Sequence, residues 1–182
     1  METIKNSFAD INLGNDNNKE EIISNVNEIL KNNGYDIVEL NSDKPWGAYF
    51  RMNNEQADRF IDDFFNHIDP TEARLGRDDV SLSPKILLVS PEQRLSWQYH
   101  HRRAERWTFL TEGAFHKSLS DEEGNINMAH SGDVVQFEAG ERHRLVGLVG
   151  KYALVAEIWQ HIYPDNPSDE DDIVRLQDDY SR

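Results

Sequence analysis

The sequence predicts a mainly β domain, a sandwich or barrel with helices added ahead of it and inserted within it. Three observations carry that expectation. Beyond Ser83 the chain breaks into short apolar or alternating stretches, the pattern of half-buried strands. Turn signals such as Pro91-Glu92, Ser131-Gly132-Asp133 and Ala139-Gly140 separate them at near-regular intervals, as in closed or double-layered β folds. Ahead of Ser83 the apolar residues recur at helical spacing instead.

Taken in order, the first element is a polar helix from Asn15 to Asn33 with Ile22, Ile23, Val26, Ile29 and Leu30 on one stripe. Asn33-Gly34 supplies its left-handed stop. A second helix runs from Asn54 to Ile68, with Ala57, Phe60, Ile61, Phe64 and Phe65 as its apolar face and Asp69-Pro70 closing it. Both stripes read as packing surfaces. Strands follow over 85–89, 95–100, 107–111, 114–119, 134–137, 142–146 and 152–159, and 165–182 is an acidic, proline-bearing tail that wraps the barrel or stays mobile. The organisation expected is an N-terminal helical extension over 1–42 packed on a domain over 43–182, with the helical insertion at 51–83.

Composition removes several functions. At 182 residues the chain suits one domain. A formal charge of -15 disfavours nucleic acid and anionic membrane as partners. With no Cys, disulfides, thiolate metal sites and Cys nucleophiles are all excluded. The start lacks a charged segment followed by an apolar core, and no run reaches the roughly 18 apolar residues of a membrane span. A cytoplasmic protein is the expectation. Sheet edges and the N-terminal stripe add the expectation of a homodimer.

Chemistry concentrates between Pro91 and Trp107. On a strand, Gln98 and His100 share a face, Glu105 follows across a short turn, and Gly140-Glu-Arg-His143 offers a second imidazole. A lone strand His is ordinarily a satisfied polar residue. The set Gln98, His100, Glu105 and His143 suits one divalent cation, zinc first, with iron, manganese or nickel also compatible.

This segment resembles the first cupin motif, and the fuller string resembles the type II phosphomannose isomerase module. Lys44-Pro45-Trp46-Gly47-Ala48-Tyr49 matches that family's Arg-Pro-Trp-Gly-x-Tyr, and Pro91 to Trp107 matches Pro-Gly-x-Arg-Leu-Ser-x-Gln-x-His-x-x-Arg-Ala-Glu-x-Trp. Gly140 to Leu145 matches a Gly-x-His-Arg-Leu-like turn, and Asp171 to Arg182 an acidic Asp-Asp-Ile-x-Arg ending. Glu92, Arg106 and Glu138 depart from the pattern, where Gly, His and Pro are usual. The resemblance implies a cupin double-stranded β-helix, or jelly-roll barrel. Many relatives carry a nucleotidyltransferase domain upstream; without its Gly-rich signature, no GDP-mannose synthesis is expected.

The resemblance further implies interconversion of mannose 6-phosphate and fructose 6-phosphate through an enediol at the metal. A phosphosugar needs cations, and the motif-bearing segments supply Lys85, Arg94, Arg102, Arg103, Arg106, Arg144 and Arg175. Most surface Arg residues sit in ordinary ion pairs. Strand parity puts Arg94 and Ser96 beside Gln98, so Arg94, Ser96, Arg144 and Arg175 are the substrate-binding candidates. Arg103 and Lys85 are the catalytic candidates, Arg103 because it shares a face with Glu105 in an extended chain. Lys85, Glu157 and His101 all remain open as the general base. A non-catalytic sugar-phosphate sensor and a non-haem iron oxygenase, whose facial triad two His and a carboxylate resemble, are the competing readings.

Overall fold

The computed structural model describes residues 4–14 and 16–181. Asn15, where the first helix is expected to begin, and Arg182, the end of the tail motif, lie outside them. Helix α1 spans Ile4–Ala9 and α2 Lys19–Asn32. Asn18 caps α2 by accepting from the Glu20 N–H, and Gly34 follows its end at φ 76°, the left-handed stop expected. Strands β1 (Ile37–Asn41) and β2 (Gly47–Met52) precede α3 (Ala57–Phe64) and α4 (Pro70–Ala73). Then come β3 (Leu82–Val89), β4 (Trp97–His100), β5 (Arg103–Phe109), β6 (Gly113–Ser118), β7 (Ile126–Ala129), β8 (Val134–Phe137), β9 (Arg142–Val146), β10 (Ala153–His161) and β11 (Ile173–Gln177).

The strands form two antiparallel sheets, ordered β1-β2-β3-β10-β5-β8 and β11-β4-β9-β6-β7. Side chains from both enclose one core, with Leu87, Trp107, Phe137 and Val155 on one sheet and Leu145 and Ala129 on the other. This is the double-stranded β-helix expected. The long sheet also buries its outer face, and the helices explain why. Ile86, Leu88, Leu154 and Ile158 alternate with the inward residues and pack beneath Ile22, Val26, Leu30, Phe60 and Phe64. Both faces of β3 and β10 are therefore buried, and these strands read as largely apolar runs interrupted by Lys85 and Glu157. Each large side chain so buried contributes roughly 1.5–3 kcal/mol.

Several boundaries differ from the expectation. The 1–42 segment is not purely helical, because β1 pairs with β2 and extends the sheet. Helical structure in the insertion covers only 54–73, its margins belonging to β2 and β3. Asp69-Pro70 does not close the second helix. That helix stops at Phe64, and the Asp69 carboxylate caps α4 through the Glu72 N–H at 2.8 Å. The acidic tail forms β11, antiparallel to β4. Finally, the α2 stripe is buried inside the chain's own core, so it offers no apolar face to a second copy.

Gly47 shows how closely the sheet strands approach. At φ 152°, a Cβ here would lie 1.8 Å from the Leu88 carbonyl oxygen. Only glycine lets β2 enter the ladder at this point.

Candidate metal centre

Antiparallel register assembles the site. Gln98 on β4 stands opposite His143 on β9, and His100 points the same way two residues on. Arg103, Glu105 and Trp107 alternate inward along β5. On the adjacent β10, Trp159 is the partner of Glu105 and Glu157 the partner of Trp107, and Lys85 on β3 faces Glu157. Two cations, two carboxylates and two imidazoles thus reach the barrel interior from five strands.

His100, Glu105 and His143 are each buried and bring one ligand atom apiece within 4.8 Å of one another. His100 Nε2 is 3.1 Å from Glu105 Oε1, and His143 Nε2 is 3.2 Å from Oε2. His143 Nδ1 lies 3.0 Å from the Glu141 carbonyl oxygen. A carbonyl only accepts, so Nδ1 carries the ring proton and Nε2 of the neutral ring is a bare lone pair. That atom has no hydrogen-bond partner, and neither does His100 Nδ1. Bare imidazole nitrogen turned toward carboxylate oxygen is the arrangement a divalent cation resolves. Gln98 adds an amide whose oxygen accepts from the Ser96 hydroxyl at 2.6 Å. These neutral and anionic N/O donors fit a divalent ion.

Burial, helped by the Arg103 charge, pushes His100 down to about 4, keeping its ring unprotonated as a ligand must be. Burial alone would raise Glu105, but its close contacts with His100, His143 and Arg103 hold the carboxyl well below its usual range. Glu157 goes the other way, pushed up to about 8 by burial and then by the Glu105 charge. Burial lowers Lys85. Trp107 bridges the two carboxylates, its Nε1 donating to Glu157 at 3.0 Å and to Glu105 at 3.3 Å.

Arg103 is locked. Its Nε donates to Glu105 at 2.8 Å and its Nη1 to the Ser168 hydroxyl at 2.7 Å. Its Nη2 lies 3.2 Å from His100 Nε2, and its plane stacks 3.5 Å from the Trp159 ring. The shared face with Glu105 is present, and this geometry makes Arg103 the residue that orients Glu105.

A cavity opens onto the centre. It is lined by Glu105, Gln98, Ser96, Arg103, Lys85, Arg175 and Glu157 among the expected residues, and by Lys44 and Glu170 besides. Arg94 and Arg144 are not brought there. Arg94 pairs with Asp179 at the surface, and Arg144 is buried against Glu123 and the Gln177 carbonyl. Parity fails for Arg94 because regular strand begins only at Trp97, after Glu92 turns the chain at φ 60°. His101 is exposed, outside the cavity. Lys44 entered only as part of the string resembling Arg-Pro-Trp-Gly-x-Tyr and not among the candidate cations; a basic residue at the first position of that string is the signal that marks it.

Residues 77–178, more than half of the chain, match the family model described as mannose-6-phosphate isomerase C-terminal. No curated protein matches the chain. Among solved structures it is similar to a Cupin 2 conserved barrel domain protein from Salinispora arenicola, at 22% identity over 44% of this chain and 64% of that one (TM-score 0.38). It is also similar to a protein from Acidithiobacillus ferrooxidans provisionally named a sugar phosphate isomerase, at 15% identity over 44% of this chain and 51% of that one (TM-score 0.39). A third is an oxalate decarboxylase from Lactobacillus farciminis in a formate complex, at 16% identity over 76% of this chain and 33% of that one (TM-score 0.49). The chain spans less than two thirds of the length of each of these three structures. No helix among the described residues is long and apolar enough to cross a membrane.

Proposed function

Because the chain belongs to the mannose-6-phosphate isomerase C-terminal family, we propose that it is a metal-dependent aldose-ketose isomerase interconverting mannose 6-phosphate and fructose 6-phosphate. The observation that carries the reading is a proton-handling pair beside the metal-type donors. Lys85 and Glu157 face each other across β3 and β10 and line the same cavity as Glu105.

His100, Glu105, His143 and Gln98 would hold the cation, zinc by first preference among the divalent ions such donors accept. When bound, it supplies positive charge for the oxyanion that develops at the sugar carbonyl. The remaining work falls to the chain's own residues. Isomerisation takes the proton from C2 of the aldose and returns it to C1, while a second proton passes from O2 to O1. Glu157 is the carboxyl placed to take and return the carbon-bound proton, with Lys85 opposite it to stabilise its ionised form. Arg103 holds Glu105 in orientation, and the face of Trp159, against which Lys85 and Arg103 both pack, walls the site from water.

A coupled assay with mannose 6-phosphate, run on metal-loaded and chelated protein while oxygen is monitored, tests the reading. Turnover lost on chelation, without oxygen uptake, is expected. Binding without turnover would make the domain a sensor, and oxygen uptake would make it an oxygenase.

A further inference from the structure

The cations that compete to hold a ligand anion can be sorted by what already occupies them. Arg94 is paired with Asp179, Arg102 with Asp169, Arg103 with Glu105, Arg106 with Glu72, and Arg144 with Glu123. Lys85, though it lines the cavity, is held by Glu170 at 3.1 Å and lies 3.3 Å from the Trp159 ring centroid. Arg175 differs from all of them. It stands opposite Gln98 in the β11–β4 ladder and lines the cavity. Its Nε, like that of Arg144, is buried without a hydrogen-bond partner, but unlike Arg144 it has no hydrogen bond or ion pair from the rest of its guanidinium to any described residue. Lys44 lines the same cavity, its Nζ 5.5 Å from the Tyr49 ring centroid, and its charge acts on Glu170 without forming a close ion pair.

Arg175 is half-buried, so one face of its guanidinium stays open to the cavity, and its planar fork matches the oxygens of a phosphate. We propose that Arg175, with Lys44 beside it, is the subsite for the phosphate group of a phosphomonoester ligand. The assignment rests on the sugar-phosphate reading above and gives it a direction. With the phosphate at β11, opposite Gln98, the sugar's carbonyl end extends inward to Glu105 and Glu157.

Calorimetric titration of the whole protein with fructose 6-phosphate and with fructose tests it, comparing wild type, Arg175→Gln and Arg175→Lys. Arg175→Gln is expected to weaken fructose 6-phosphate at least tenfold while leaving fructose binding and metal content unchanged, and Arg175→Lys to restore part of the loss. In the isomerase assay the same variant should raise KM for mannose 6-phosphate with kcat within about threefold. Equal binding of fructose 6-phosphate by wild type and Arg175→Gln would overturn the subsite, and so would parallel loss of fructose binding. Arg175-dependent binding in a protein that turns over no sugar would sink the isomerase reading and leave the subsite standing. Turnover with wild-type KM in Arg175→Gln would do the reverse.

Discussion

His143 Nε2 and Glu105 Oε2 lie 3.2 Å apart, while the ring's hydrogen is committed on the far side to the Glu141 carbonyl. Two lone pairs therefore face each other in a buried site. A divalent cation held by His143 and Glu105 would relieve that repulsion.

The first expectation follows directly. A divalent ion at about 100 times its Kd should stabilise the chelated protein by about 2.7 kcal/mol, seen as a rise in melting temperature with zinc and, to differing extents, with manganese, iron or nickel. His143→Gln should weaken binding by about tenfold or more. Superimposable melts with and without every metal would remove the centre.

Arg103→Lys keeps the charge but loses the planar contacts to Glu105, Ser168 and His100. Because those contacts are buried, the variant should lose about 2–4 kcal/mol in urea unfolding. An unchanged midpoint alongside lost turnover would instead assign Arg103 to the substrate.

Asp172 ties the tail to the barrel. Its carboxylate accepts from the Arg102 N–H at 2.9 Å, the His101 N–H at 3.2 Å and the Ser168 hydroxyl at 2.6 Å. Burial opposes ionisation, but these donors win and hold its pKa below the ordinary value of 3.8. The folded value lies under the unfolded one, so the contribution is complete above about pH 4–5 and fades as pH falls through the folded pKa. Asp172→Asn should therefore cost about 1.5–3 kcal/mol at pH 7 and progressively less below pH 4. A difference that stays constant down to pH 2 would contradict this.

Glu92 sits at φ 60°, a region that costs a non-glycine residue about 1–2 kcal/mol. Glu92→Gly should be more stable than Glu92→Ala by about 1 kcal/mol. Equal melting temperatures for the two variants would show that the turn carries no such strain.

How far these features were legible varies by segment. Gln98, His100 and Glu105 were readable because β4 and β5 keep strict alternation around one tight turn, and His143 because Gly140 announces the next strand. Gln98 opposite His143 follows from nothing local, since pairing between distant strands leaves no trace in either. β7 was lost behind the polar Asp121–Gly124 turn because Ile126 and Met128 face outward and are exposed. β11 was hidden for a related reason: its acidic flanks resemble a solvated tail, and only pairing with β4 makes it a strand. Lys85 and Glu157 appeared as isolated charges in apolar runs. Their meaning emerges only when β3 and β10 are set in register.

As the proposed isomerase, this barrel would move a proton between adjacent carbons of a phosphosugar under metal control. Proton NMR of fructose 6-phosphate in D2O with metal-loaded protein follows that event directly. The account predicts mannose 6-phosphate appearing with carbon-bound protons exchanged for deuterium, and both signals vanishing on chelation. Fructose 6-phosphate that binds yet remains unconverted with zinc, iron, manganese and nickel alike would contradict it.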